Sequence, residues 1–146
     1  MKKSASKKGQ MKLSFGMIFS IILILVFMVL AFFVIKKFLE FQEGLTIKQF
    51  TNKLQQDIDK IWQGDQGSQK VEYFLPSKID AICFKNDDYE NLRFRSGKLM
   101  DGEKINHLDI EKITEDEDPY CIESEDGKVK FVLEKDFGEN LVIITR

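Results

Sequence analysis

Histidine and tryptophan each occur once in the 146 residues, and proline and cysteine twice each. One histidine and two cysteines cannot fill a Cys/His zinc site. Two prolines, Pro76 and Pro119, are too few for a proline-rich spacer. No glycine-rich phosphate loop, Gly-x-Ser-x-Gly or His-Glu-x-x-His motif is present, so the common nucleotide, serine-hydrolase and zinc-protease signatures are all missing. No acidic residue occurs among the first 37 positions, which carry seven lysines. Residues 38–146 invert that balance, with 15 basic and 24 acidic residues. An acidic domain repels a phosphate backbone, which argues against nucleic acid as a partner. The basic start suits an anionic membrane face.

What the chain has in quantity is one apolar run. Leu13–Ile35 reads LSFGMIFSIILILVFMVLAFFVI, 23 residues without a charge. As a helix it would be about 35 Å long, enough for a hydrocarbon core of roughly 30 Å. It is apolar all round and flanked sharply by Lys12 and by Lys36 and Lys37, unlike a buried core helix. The apolar part of a cleaved secretory signal is about 7–15 residues long and ends at small residues. Here Ala31 is followed by Phe32, Phe33 and Val34, so an uncleaved anchor is expected. Five lysines precede the run and two follow it closely, which predicts a cytoplasmic N-terminus and an extracytoplasmic C-terminal domain in a cell membrane.

Beyond the span, Ile47, Phe50, Leu54, Ile58 and Ile61 recur at steps of three and four, one face of a helix. Lys48, Lys53, Gln56 and Asp59 occupy the other face. Gly44 is the only local breaker, and Gly64, Asp65, Gly67 and Ser68 end the pattern. The reading is one long helix over about 13–63, kinked or straight at Gly44. Strand patterns follow at Val71–Leu75, Ile79–Phe84, Tyr89–Arg95, Tyr120–Glu123, Lys128–Leu133 and Leu141–Thr145. Ser96–Gly97 and Asp101–Gly102 read as turns. Glu125-Asp126-Gly127 reads as the turn of a hairpin joining 120–123 to 128–133. Residues 103–118 are polar and fit a short helix or a long loop.

The expected fold class is α+β: a long N-terminal transmembrane helix continuing into an amphipathic helix packed on a small antiparallel sheet of five or six strands. The parts are a basic cytoplasmic stub or leader at 1–12, the transmembrane helix at 13–35, its extension at 36–63 and a β-rich extracytoplasmic head at 64–146.

Chemistry-bearing residues are sparse. Cys83 and Cys121 lie in two expected strands, so they form either a disulfide, which an extracytoplasmic domain permits, or two buried thiols. His107, in Ile-Asn-His-Leu-Asp, reads as a surface loop residue; a Cys/His nucleophile pair has no motif behind it. Trp62 ends the helix as a core anchor or as a cap on the sheet. The acidic runs Glu115–Asp118 and Glu123, Glu125, Asp126 lack the alternate spacing and central glycine of a calcium loop and read as solvated. No catalytic residue, cofactor or metal ligand is expected.

Lys7-Lys8-Gly9-Gln10 followed by the apolar run resembles a class III signal peptide of the prepilin type, in its archaeal form. The resemblance covers residues 7–35. It implies cleavage between Gly9 and Gln10 on the cytoplasmic side, retention of the apolar helix, and a pilin-like subunit whose partners are the lipid bilayer and like subunits or other pilin-like proteins. Two positions depart from the family: Ser14 stands where many pilins carry Glu, and Lys12 puts a charge close behind Gln10. The other function in view is a membrane-anchored extracytoplasmic binding module that does not polymerise.

Overall fold

The computed structural model describes residues 15–146. Helix α1 runs from Phe15 to Trp62 without interruption. Gly44 does not break it, because a glycine costs a helix only about 1 kcal/mol and good helix formers surround this one. Two compact units divide within α1, one ending at Phe41 and the other comprising Gln42–Arg146.

In the first unit every described side chain, Phe15 to Phe41, is exposed. The most apolar window of α1 has a mean hydropathy of 3.4 and buries nothing, and the helix is long and apolar enough to cross a membrane. Its one hydroxyl in that stretch is satisfied internally: Ser20 Oγ donates to the Gly16 carbonyl four residues back (2.8 Å).

In the second unit the helical stripe takes the role its spacing predicts. Phe50, Leu54, Ile58 and Ile61 are buried and Ile47 is partly so. Seven strands follow: β1 Gly67–Phe74, β2 Ala81–Phe84, β3 Leu92–Ser96, β4 Lys98–Glu103, β5 Tyr120–Glu123, β6 Lys128–Lys135 and β7 Ile143–Thr145; all but β4 add residues to the core that the stripe joins. A one-turn helix α2, Ile110–Ile113, interrupts 103–118 and is capped by Asp109, whose carboxylate accepts from the Lys112 N–H (3.1 Å).

The strands form two antiparallel sheets in place of the single sheet expected. One has the order β1-β6-β7 and the other β4-β3-β2-β5. The hairpin expected at 120–133 is therefore a turn between sheets. Asp126 and Gly127 do adopt positive φ, and Glu125 bridges Lys128. But β6 then pairs with β1 from Lys128↔Phe74 to Lys135↔Gly67, while β5 pairs with β2. The reason is length. β1 offers β6 eight paired residues, and the inward positions Val71 and Tyr73 meet Val129, Phe131 and Leu133 in one core.

Three boundaries also differ from the sequence reading. Asp101–Gly102 lies inside β4, where Gly102 lets two backbones approach closely. Ile79 closes a turn onto the Pro76 carbonyl (2.9 Å) and precedes β2. Tyr89 is 84% exposed, because the Asp87 carboxylate accepts both the Tyr89 and Glu90 N–H groups and holds the segment as a turn.

The second sheet is filled on both faces. Ile82, Phe84, Leu92, Phe94 and Ile122 point to the main core. On the reverse face Ala81 lies between Arg95 and Glu123, and Cys83 between Arg93 and Cys121. Arg95 and Glu123 pair across the alanine, whose small side chain leaves room for the bridge.

Candidate functional site

The polar chemistry of the second unit concentrates where α1 ends. Gly64 and Gly67 stop the helix; the Asp59 and Ile61 carbonyls still accept the Gln63 and Gly64 N–H groups (3.0 and 3.1 Å), and the Trp62 carbonyl is left to a side chain. Lys135, on β6, is the inward residue after Val129, Phe131 and Leu133. Its ammonium is buried against that helix end and donates to the carbonyls of Trp62 (2.8 Å) and Gly64 (2.7 Å). A cation at a helix C-terminus is stabilised by the helix dipole.

Gln55, Asp59 and Trp62 sit at steps of four and three along α1 and clasp two loops. Gln55 accepts from the Asn106 N–H (2.8 Å) and donates to Asp59 (2.7 Å). Asp59 lies 2.9 Å from His107 Nδ1. The His107 ring stacks flat on the Trp62 indole, centroids 3.8 Å apart. The indole N–H donates to the Asn140 carbonyl (3.0 Å). His107 has a positive φ of 65°, a conformation that the Val142 N–H on its carbonyl (2.9 Å) and the clasp together hold.

Beside the clasp lies an open groove of about 440 Å³, bordered by Asp87, Asp88, Asn91, Lys104, His107 and Asp109. Its polar groups are largely spent on the fold. The buried Asn91 amide donates to the Ile105 carbonyl and accepts the Ile105 N–H, both at 2.7 Å, so one side chain continues the strand ladder. Lys104 donates to the Asp88 carbonyl (2.6 Å). Asp87 is held below the usual carboxylate range, first by the Tyr89 N–H and then by that of Glu90. The groove can take a polar ligand on its exposed rim, but it brings together no nucleophile with a base.

A second link between α1 and the sheet is the Tyr73 hydroxyl, which donates to Asp57 (2.7 Å). Burial first, and then this carboxylate, push the phenol well above its ordinary value.

Of the residues singled out from sequence, Gly9 and Gln10 lie outside the described residues. Cys83 and Cys121 are brought together: they face each other in register on β2 and β5 with Cα atoms 4.0 Å apart, and their sulfurs are bonded. Neither sulfur is then free to pair with His107 as a nucleophile. Trp62 is neither a core anchor nor a cap on the sheet. It is 38% exposed, stacked on His107 and tied through its indole N–H to the Asn140 carbonyl. The acids at 115–118 are exposed, with Glu117 paired to Arg146 (2.9 Å). Among the described residues no three His, Cys, Asp or Glu side chains gather as a metal site. Sequence reading passed over Lys135, Asn91 and Tyr73–Asp57. Only Lys135 left a signal, as the charged fourth member of an apolar alternation. Comparison with protein-family models, curated proteins and solved structures finds no match to this chain.

Proposed function

We propose that this chain is a single-pass membrane protein, N-terminus cytoplasmic and head extracytoplasmic, that serves as a pilin-like or accessory subunit of a surface filament or secretion apparatus. The observation that carries the proposal is the division of labour along α1. Its first half is apolar and exposed on every side, and its second half is the core helix of a β-rich head. A bonded cysteine pair adds support for an extracytoplasmic head, since such bonds persist in oxidising compartments. The reading gives the protein no catalytic role, cofactor or metal; its partners are lipid and like subunits.

A second reading has an observation of its own. Lys12 and Ser14 depart from the pilin pattern, and the groove beside His107 has an exposed polar rim. Both suit an anchored binding module that keeps its N-terminus and does not polymerise.

One measurement separates the two readings. Mass spectrometry of the protein from its native membrane should give Gln10 as the mature N-terminus for the pilin-like subunit. An intact leader leaves the binding module. The topology common to both is tested by fusing to Arg146 a reporter active only in the cytoplasm; a strong signal would overturn it.

A further inference from the structure

The start of the second unit carries the features that weaken a helix. Gly44 is exposed, and a Cβ placed on it would meet nothing within 4 Å, so no close approach calls for glycine there. A mid-helix glycine leaves the backbone freer to bend than any other residue does. The Thr46 hydroxyl donates to the Gln42 carbonyl (3.0 Å), a bond that brackets Gly44. Such a bond back to the preceding turn bends helices. The stripe that fixes α1 to the core begins only after these residues, with Ile47 partly buried and Phe50 buried. One tie reaches the helix ahead of Gly44 from the rest of the head. Lys78 Nζ lies 2.7 and 3.1 Å from the two carboxylate oxygens of Glu43. Among the described residues no other side-chain bond or ion pair reaches Gln42–Thr46 from outside the helix.

Lys78 is presented by a firm support. The Ile79 N–H closes a turn onto the Pro76 carbonyl (2.9 Å), and Leu75 and Ile79 are buried on either side of that turn. The ion pair itself is open to water, with the Glu43 and Lys78 side chains 37% and 68% exposed. It is therefore screened by salt and easily broken. We propose that Gly44 is a hinge in α1 and that the Lys78–Glu43 pair is the latch that closes it. Glu43 stands on the other side of Gly44 from the core stripe, so a bend at Gly44 away from the Pro76–Ile79 turn parts the two charges. The direction in which the helix leaves the head is then set by one exposed ion pair. Pairs of this kind shift an equilibrium by no more than about fivefold, so the latched and open states are both populated and ionic strength selects between them. This inference goes beyond both functional readings and depends on neither.

The test uses the full chain in detergent micelles, with nitroxides attached at Leu39 and Glu111 through unnatural ketone-bearing residues, which leaves the disulfide intact. Pulsed dipolar spectroscopy then reads the distribution of distances between the two labels. Lys78→Glu sets like charges against each other and should broaden the distribution. So should about 1 M salt, where the screening length falls to about 3 Å. Adding Glu43→Lys to Lys78→Glu restores opposite charges and should return the wild-type width. Adding Gly44→Ala to Lys78→Glu should narrow the distribution, because the open latch then has no hinge to free. Lys78 and Gly44 are both exposed, so circular dichroism should show the same fold throughout. The hinge is overturned if Gly44→Ala leaves the distribution as broad as in Lys78→Glu alone, since the bend then lies elsewhere. The latch is overturned if Lys78→Glu keeps the wild-type width, or if the charge swap does not restore it.

Discussion

A methyl group on Gly102 would overlap the Leu92 carbonyl oxygen and stand 2.9 Å from Arg93 Cγ. Backbone cannot yield as a flexible side-chain tip can, so Gly102→Ala should destabilise the head by at least about 2 kcal/mol in thermal unfolding. Gly44 has nothing within 4 Å of the same added atom. Gly44→Ala should therefore stabilise by about 0.5–1 kcal/mol, because a mid-helix glycine costs only entropy. Equal effects from the two changes would contradict the close approach of β3 and β4. Tyr73 supplies a second residue-scale prediction. Its folded pKa is raised, so the phenol stays protonated in the folded head while the unfolded chain ionises near its ordinary value of about 10. The stability it contributes is fully present below that value and is lost as pH rises beyond it. Urea unfolding between about pH 9 and 11 should show wild type losing stability more steeply than Tyr73→Phe. Parallel slopes would mean that the hydroxyl is not shielded.

At the scale of elements, the second half of α1 was legible because its period is local. Phe50, Leu54, Ile58 and Ile61 repeat on one face whatever they pack against, and burial follows from the repeat. Leu54 is completely buried, so Leu54→Ala should cost about 2–5 kcal/mol in thermal unfolding. Lys53, exposed beside Tyr73 with its ammonium 5.8 Å from the ring centroid, should cost no more than about 0.5 kcal/mol on change to alanine. If Leu54→Ala melts like wild type, the helix does not belong to the core. Strand pairing was far less legible. Alternation in 128–133 marks a strand with one buried face, but it does not say whether β5 or β1 lies alongside. The turn at Asp126–Gly127 looked decisive because it is local, and the eight-residue ladder between β1 and β6 outweighed it.

For the whole molecule, the second unit begins at Gln42 and holds every buried hydrophobic side chain among the described residues. A fragment of residues 42–146 should be soluble and unfold in one cooperative transition, because nothing in its core comes from the apolar half of α1. Joint replacement of Cys83 and Cys121 by alanine in that fragment should lower its stability by about 4 kcal/mol, the loop-closure term for 38 residues. Thermal melts of the two fragments check both statements. Aggregation of the parent fragment, or identical melting with and without the cysteines, would count against them.

The sequence by itself determined the features that depend on neighbours along the chain. An uncharged run of 23 residues specifies a helix able to cross a bilayer, since length and hydropathy suffice. A repeat of three and four specifies the buried face of a helix, and the choice of α+β follows from the change of period after Gly67. The tertiary structure decided whatever depends on which segments meet. Two sheets stand in place of one because β6 finds its longest partner in β1. Cys83 faces Cys121 because β2 and β5 pair in that register. Lys135 sits buried because the end of a helix leaves a carbonyl that a cation can satisfy, and Trp62 stays half-exposed where its ring meets His107 and the Asn140 carbonyl. Such contacts join residues far apart in the chain, 73 positions between Lys135 and Trp62 and 78 between Trp62 and Asn140, and no local pattern encodes them.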